Sequence, residues 1–185
     1  MTNGGTFAIV IAILAAVAGI ELAMGRVPIC TCGTIELWHG AVKSAGNSQH
    51  LTDWYTPSHV IHGIAFYALL WLLARHWPVG TRLVAAVAIE AAWEIAENTP
   101  MVIDRYRAAT IALDYYGDSV INSIADLGAM MLGFWLASRL PRWASVALVV
   151  VAEVGVGLAI RDNLMLNVLM LVHPIEAIRQ WQLGA

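Results

Sequence analysis

Residues 7–24 read FAIVIAILAAVAGIELAM, eighteen residues in which Glu21 is the one charged side chain. An apolar run of this length suffices for a helix that crosses the hydrocarbon core of a bilayer. No Lys or Arg precedes the run, whereas a secretory signal peptide begins with a basic region. The stretch therefore predicts a transmembrane helix that is retained in the protein.

The rest of the chain repeats this pattern. Of its 185 residues, 59% are hydrophobic and 12% charged, with a mean hydropathy of +0.70, far above the apolar share of an ordinary soluble domain. The runs that follow the first one are residues 58–75, 82–98, 118–138 and 143–160. Residues 164–180 begin with an apolar run too short to span, which indicates an interfacial or re-entrant helix. We expect an all-α, polytopic transmembrane bundle of about five spans, forming one integral membrane domain over residues 1–185.

The net charge limits the classes of partner that the chain is expected to bind, and the cysteine content gives little evidence for a metal site or a disulfide. The net charge of −3 is spread without a basic stripe, so membrane lipids are expected as partners and nucleic acid is not. Cys30 and Cys32 form a lone Cys-x-Cys pair, a weak metal signal and an awkward disulfide. We predict no special role for them.

The ionisable residues collect at one face of the predicted bundle. Two long polar loops, residues 25–57 and 101–116, connect the first span to the second and the third to the fourth. Since successive helices alternate in direction, the polar groups near the helix ends fall on the same side of the membrane as these loops. These polar groups are Glu21, His59, His62, Glu94, Glu97, Asp118, Asn122, Asp126 and Asp162. Helical spacing puts Glu90, Glu94 and Glu97 on one stripe, Asp118, Asn122 and Asp126 on another, and the two histidines on a third. In lipid such groups face the bundle interior, so three helices are expected to share one polar cavity.

The residue types in this cavity match those of helical-bundle metal sites. We name as candidate ligands of a divalent Zn, Mn or Fe ion His59, His62, Glu94, Glu97 and Asp118. The alternative for the histidines is hydrogen bonding to loop backbone, and neither an HExxH motif nor a di-iron spacing is present.

The carboxylates of this cavity are also candidates for acid-base chemistry. The candidate catalytic residues are Glu94, Glu97, Asp118 and Asp126. For the two glutamates the alternative is ion pairing with Arg105 or Arg107, and for Asp118 it is capping of the fourth span.

Two further features have structural interpretations. Glu153 in the fifth span is expected to pair with Arg161 or to remain neutral. The glycines of the last two spans, at positions 128, 133, 155 and 157, are expected to permit close helix contact.

Several motifs together carry a resemblance to a known family. They are Asn47-Ser48-Gln49-His50, Asp53-Trp54-Tyr55, Ser58-His59-Val60-Ile61-His62-Gly63, Trp93-Glu94-Ile95-Ala96-Glu97-Asn98 and Asp114-Tyr115-Tyr116-Gly117-Asp118-Ser119. From about Arg26 to the C-terminus the chain resembles uncharacterised protein family 0314, also described as domain of unknown function 2585, a family of bacterial multi-pass membrane proteins. The resemblance supplies no activity. The order of a His-bearing helix, a Trp-Glu-x-x-Glu segment and an Asp-rich helix start is also similar to VanZ-like membrane proteins, which implies at most a role in the envelope.

Two functions from different classes fit these observations. One is an intramembrane, divalent-metal-dependent enzyme that acts on a lipid or isoprenoid head group. The other is a non-catalytic membrane protein, such as a lipid or small-ligand binder, ion conductor or assembly partner, whose polar cluster is a hydrogen-bond network. The expected location is the bacterial inner membrane. Lys and Arg number six on the long-loop side and four on the hairpin side, so their count favours neither orientation: the six are Arg26, Lys43, Arg105, Arg107, Arg161 and Arg179. Because the hairpin arginines sit tightly at helix ends, the long loops are placed on the periplasmic face.

Overall fold

The computed structural model describes residues 3–184, in which all regular structure is helical. The eight helices are α1 (Asn3–Ala23), α2 (Thr56–Leu73), α3 (Val79–Glu97), α4 (Pro100–Ala109), α5 (Val120–Arg139), α6 (Arg142–Ile160), α7 (Leu164–Val172) and α8 (Glu176–Leu183). The predicted all-α fold is confirmed.

Four of these helices, α1, α2, α5 and α6, are long and apolar enough to cross a membrane. Much of their surface is apolar and exposed, as lipid-facing helices require, for example at Phe7, Leu72 and Leu158. Helix α3 has comparable length but carries three glutamates and Arg82. It packs against α1, α2 and α5, and its assignment as a fifth span stays a prediction.

Helices α2 and α5 pack together most closely, because glycine lies on both sides of their contact. A Cβ atom on Gly63 would stand 1.9 Å from the carbonyl oxygen of Met130, and one on Gly133 would stand 2.0 Å from that of Val60. The expectation of close contact is therefore confirmed at Gly133. It is wrong at Gly128 and Gly155, where a Cβ would meet no described atom within 4 Å. At the remaining predicted glycine, Gly157, a Cβ would meet only the Asn163 side chain, so this glycine permits a loop contact.

Two helix starts differ from the sequence prediction. Helix α2 begins at Thr56, with Pro57 in its first turn, rather than at Ser58. Helix α5 begins after Ser119, whose hydroxyl accepts a hydrogen bond from the backbone N–H of Asn122. Asp118 is therefore not the cap, and its carboxylate is free for contacts inside the bundle.

Helix α4 lies between the third and fourth predicted spans, residues 82–98 and 118–138, where the sequence predicts no helix. Pro100 is compatible with the end of a helix, but here it lies in the first turn of α4, where its missing N–H costs nothing. The helix brings Tyr106 back against the bundle, where its ring meets that of Tyr115 edge-on.

The C-terminal segment forms two helices, α7 and α8, rather than one. Glu153 of α6 accepts hydrogen bonds from the backbone N–H groups of Leu164 and Met165 and so caps α7. The predicted pairing of Glu153 with Arg161 is wrong, since Arg161 donates to the carbonyl oxygen of Trp181.

The loop between α1 and α2 folds over the N-terminus of α5. The backbone N–H of Ser119 donates to the carbonyl oxygen of Ser48, and the side chain of Asn122 donates to that of His50. Cys30 and Cys32 form a disulfide in this loop, a pairing that the sequence did not lead us to expect.

Candidate functional site

A cavity of about 310 Å³ lies where α2, α3, α5 and α7 meet, at the end of the bundle covered by the first long loop. Its polar lining residues come from α2, α3, α4, α5 and α7 and from the segments that precede α2 and α5. They are Asn47, Ser48, Asp53, Tyr55, Ser58, His59, His62, Glu90, Glu97, Tyr106, Tyr115, Asp118, Asp126 and Asn167. The predicted shared polar cavity is thus present.

One group of potential ligands is centred on Glu90. Its Oε1 lies 2.7 Å from Nδ1 of His59 and 3.0 Å from Nδ1 of His62, so one fully buried carboxylate orients both imidazole rings. The i, i+3 spacing of the histidines on α2 makes this possible, since both rings then point at α3. One ligand atom from each of these three residues lies within 4.8 Å of the others.

A second group consists of carboxylates alone. Glu94, Glu97 and Asp118 also offer one oxygen each within 4.8 Å of one another. Glu94 is fully buried, and neither of its oxygens accepts a hydrogen bond. The Nδ1 atom of His59 lies 3.3 Å from Glu94 Oε1. A buried carboxylate that accepts no hydrogen bond is costly, so this position calls for a proton or a cation.

Asp118 is fixed in place by neighbours on both sides. Asn98, the residue that follows α3, donates to Oδ2 of Asp118 at 2.9 Å and accepts from its backbone N–H at 2.7 Å. Gly117 precedes it with φ +93, a conformation that suits glycine and turns the chain into this contact. The Tyr115 hydroxyl donates to both carboxylate oxygens at 3.1 Å.

At Asp118, burial favours the neutral carboxylic acid over the charged carboxylate. Burial raises the pKa of Asp118 to about 6, against hydrogen bonds from Tyr115 and Asn98 that lower it. Burial also raises the pKa of Tyr115 well above its usual range, so the phenol keeps its proton and acts as a donor.

Asp126 completes the cavity from α5. Its Oδ2 lies 3.7 Å from Nε2 of His59, and its Oδ1 accepts a long hydrogen bond of 3.4 Å from the Thr56 hydroxyl. His59 therefore faces Glu90 with one ring nitrogen and Asp126 with the other.

The alternative of arginine pairing for the glutamates is wrong. Arg105 donates to the carbonyl oxygen of Leu171, and Arg107 lies over the ring of Tyr116 and 3.9 Å from Asp104. Among the residues that line the cavity, none is Lys or Arg.

The predicted site residues come together, with one difference in grouping. His59, His62, Glu97, Asp118 and Asp126 line the cavity. Glu94 lies behind His59, with Oε1 3.3 Å from Nδ1 of that ring. The ligands that we placed in one set are divided between the two groups, and their roles stay predictions.

Sequence reasoning assigned no role to several residues of the site, among them Glu90, Asn98 and Tyr115. Glu90 was recognised as part of the glutamate stripe but not assigned a role, although it is the acidic residue closest to both histidines. Asn98 and Tyr115 were not assigned either. Asn98 directly follows Glu97 and Tyr115 lies three residues before Asp118, and both belong to the motifs that carry the family resemblance. Asp114, four residues before Asp118, is exposed.

The rim of the cavity is apolar. Its lining also includes Phe66, Ile89, Trp93, Leu164 and Val168. Ile89 of α3 is 42% exposed and Val168 of α7 is 48% exposed, whereas the histidines and carboxylates lie deeper. The cavity therefore has a polar floor and an apolar opening between α3 and α7.

Comparison with known proteins gives a family but no solved structure that matches. A family model described as protein of unknown function (DUF2585) matches residues 21–184. A UPF0314 protein of Rhizobium meliloti (strain 1021) is 62% identical over 165 residues, covering 89% of this chain and 84% of its own. A UPF0314 protein of Paracoccus denitrificans (strain Pd 1222) is 60% identical, covering 86% and 82%. The predicted likeness to VanZ-like membrane proteins is not shown by these comparisons.

Proposed function

The chain belongs to the family described as protein of unknown function (DUF2585), so we infer its activity from its own site. We propose that it is a divalent-metal-dependent enzyme that acts within the membrane on a lipid or isoprenoid head group. The observation that carries this proposal is the convergence of His59, His62 and Glu90, which line the cavity and each offer a ligand atom within 4.8 Å of the others. Two imidazoles and a carboxylate are a ligand set that suits Zn, Mn and Fe.

The chemistry of the remaining residues fits such a role. Asp126 lies beside His59 without belonging to either ligand group, which leaves its carboxylate available as a general base toward a bound water. Tyr115 and Asn98 hold Asp118 in a fixed orientation, as a preorganised site requires.

The shape of the cavity supports an amphiphilic substrate. Its exposed apolar rim at Ile89 and Val168 opens sideways between α3 and α7, where a bilayer would surround the bundle. A head group could then reach the polar floor while its chain stays in lipid. Membrane lipids are accordingly the proposed partners, and the inner membrane the proposed location, with the long loops toward the periplasm.

The test is metal analysis of the purified full-length protein, combined with substitution at the histidine group. We expect a stoichiometric divalent ion in the wild type and its loss in the double variant H59A/H62A. His76→Ala removes an exposed histidine at the opposite end of α2 and should keep the ion. A wild type that binds no divalent ion overturns the proposal.

A second candidate is a non-catalytic lipid binder with a structural hydrogen-bond network. The observation that favours it is Asp118, both of whose oxygens already accept hydrogen bonds from Tyr115 or Asn98. This candidate predicts no bound metal, so the same measurement decides between the two.

A further inference from the structure

The two ligand groups are distinct but adjoin each other. One contains His59, His62 and Glu90, and the other contains Glu94, Glu97 and Asp118. They meet at His59, whose Nδ1 lies 2.7 Å from Oε1 of Glu90 and 3.3 Å from Oε1 of Glu94. A single cation cannot take all six residues at these positions, because each group closes around its own point.

The charge of the cavity also exceeds what one cation offsets. Five lining side chains are carboxylates, Asp53, Glu90, Glu97, Asp118 and Asp126, and Glu94 adds a sixth behind them. No Lys or Arg lines the same cavity. A divalent cation offsets two negative charges, so two cations neutralise most of the cluster in its ionised form, whereas one leaves several carboxylates that must either keep a proton or repel one another.

The carboxylate of Glu94, which has the His59 ring 3.3 Å away but accepts no hydrogen bond, supports the same conclusion by a separate observation. Both of its oxygens are buried and accept no hydrogen bond, while Asp118 and Glu90 are already oriented by neighbours. A cation between Glu94, Glu97 and Asp118 would give these oxygens the partner that the protein itself does not provide.

We propose that the cavity holds two divalent cations side by side, which together bind the phosphate of an amphiphile. This inference rests on the proposed function and adds to it the number of cations and the chemical class of the head group. The histidine group suits Zn, Mn or Fe, and the carboxylate group, with oxygen ligands alone, suits Mg or Mn.

The phosphate is inferred from what the cavity lacks. A cavity lined by carboxylates and without Lys or Arg repels an anion unless cations stand between them. Paired cations provide that bridge, since two-metal sites hold phosphoryl oxygens from both sides. The apolar rim at Ile89 and Val168 then selects a phosphate that carries a hydrocarbon chain over free phosphate.

Manganese titration of the metal-stripped, full-length protein tests the number of cations. We expect two Mn²⁺ equivalents whose electron paramagnetic resonance shows an exchange-coupled pair. Glu90→Gln and Glu97→Gln should each leave one uncoupled equivalent, which also shows that the variant is folded. His76→Ala should keep the coupled pair.

The possible failures are distinct. One equivalent in the wild type, two uncoupled equivalents, or loss of all binding in both single variants overturns the two-cation site but leaves a metal enzyme possible. No Mn²⁺ binding in the wild type overturns the proposed function itself.

The phosphate is tested with inorganic phosphate and with phosphatidic acid in detergent micelles. We expect inorganic phosphate to bind the two-Mn²⁺ protein and to bind each single-cation variant at least about tenfold more weakly. Val168→Ser in the rim should weaken the binding of phosphatidic acid and leave the affinity for inorganic phosphate unchanged. Equal affinity of the wild type and the single-cation variants for inorganic phosphate overturns the inference that the ligand is a phosphate. An equal effect of V168S on the binding of both probes overturns the inference that the ligand carries a hydrocarbon chain.

Discussion

Asn98 shows how a single side chain connects the elements of the site. From the end of α3 it donates to Asp118 Oδ2 and to the carbonyl oxygen of Glu94, and its own oxygen accepts from the backbone N–H of Asp118. It is 1% exposed, so these bonds are made inside the protein and not in competition with solvent. Its role is to hold the segment before the N-terminus of α5 against α3 while Asp118 faces the cavity.

Asn98→Ala is therefore expected to destabilise the protein by about 1–3 kcal/mol, because it leaves the buried backbone N–H of Asp118 without its acceptor and removes one of the two hydrogen bonds to Asp118 Oδ2. Thermal or chemical unfolding in detergent measures the effect. Asp114→Asn is the matched control, since that residue is exposed in the same segment and should change stability by less than about 0.5 kcal/mol. Equal stability of the two variants would contradict the role given to Asn98.

Residue type and spacing were enough to find the histidines and most carboxylates of the site. The helical repeat brought His59 and His62 to one face and separated the acidic residues into stripes, and the structure places them around one cavity. Glu90 could not be assigned in this way, because its partners lie on another helix and the register between α2 and α3 is set by packing. For the same reason, spacing within α3 could not show that the ligands divide into two groups.

Among the helices, the contact between α2 and α5 determines the geometry of the cavity. His59 and His62 come from α2 and Asp126 from α5, and the two helices approach closely at Gly63 and Gly133. A shift of either helix would change the distance between His59 and Asp126 directly.

Gly63→Ala is expected to cost about 1–3 kcal/mol of stability, because its Cβ would overlap the backbone of α5. Gly128→Ala is the control on the same helix pair: its Cβ meets no described atom within 4 Å, and alanine favours the helix by up to about 1 kcal/mol. Unfolding of both variants in detergent measures the difference. A G63A protein as stable as G128A would show that the close contact is absent.

Glu153 has a comparable role for the C-terminal segment. Its two carboxylate oxygens accept from Leu164 and Met165 at the start of α7, the helix that contributes Val168 to the rim. Glu153→Ala should loosen α7 by about 1 kcal/mol, because two backbone N–H groups at the start of the helix lose their acceptor while the N-cap Asn163 keeps its bond from Leu166.

Hydrogen exchange of residues 164–172 measures the loosening. Faster exchange in α7 with unchanged exchange in α5 is the expected result. Glu176→Ala, at the exposed start of α8, is the control and should leave α7 unaffected. Unchanged exchange in the E153A variant would contradict the capping role.

Long apolar runs predicted the main helices well, but short elements needed information that the sequence did not show. Helix α4 was missed because Pro100 ends one helix and begins another, and a proline fits both positions equally. The sequence predicts the N-cap of α5 one residue too early, at Asp118 instead of Ser119. Both residue types are good caps, and only the contact of Asp118 with Asn98 decides between them.

At the scale of the whole molecule, polarity is distributed unequally between the two ends of the bundle. The cavity, its carboxylates and the long first loop lie at one end, while the opposite hairpins carry Arg75, Arg82, Arg139 and Arg142. The arginines stand close to helix ends, where the positive-inside rule applies most strongly. We therefore expect the cavity to face the periplasm.

A reporter fused after the C-terminal residue tests this orientation. With five spans and cytoplasmic hairpins, the C-terminus is periplasmic, so a reporter that is active only after export should be active. A fusion to the hairpin at Arg139 is the internal control and should show the reverse pattern. Activity of a cytoplasm-only reporter at the C-terminus would contradict either the orientation or the number of spans.

The central claim, that the cavity is a metal centre, is tested most directly by anomalous scattering from crystals grown with Mn²⁺. The account predicts one peak among His59, His62 and Glu90 and a second peak among Glu94, Glu97 and Asp118. Crystals without any anomalous peak in the cavity, and with Glu90 still hydrogen-bonded to both histidines, would contradict it.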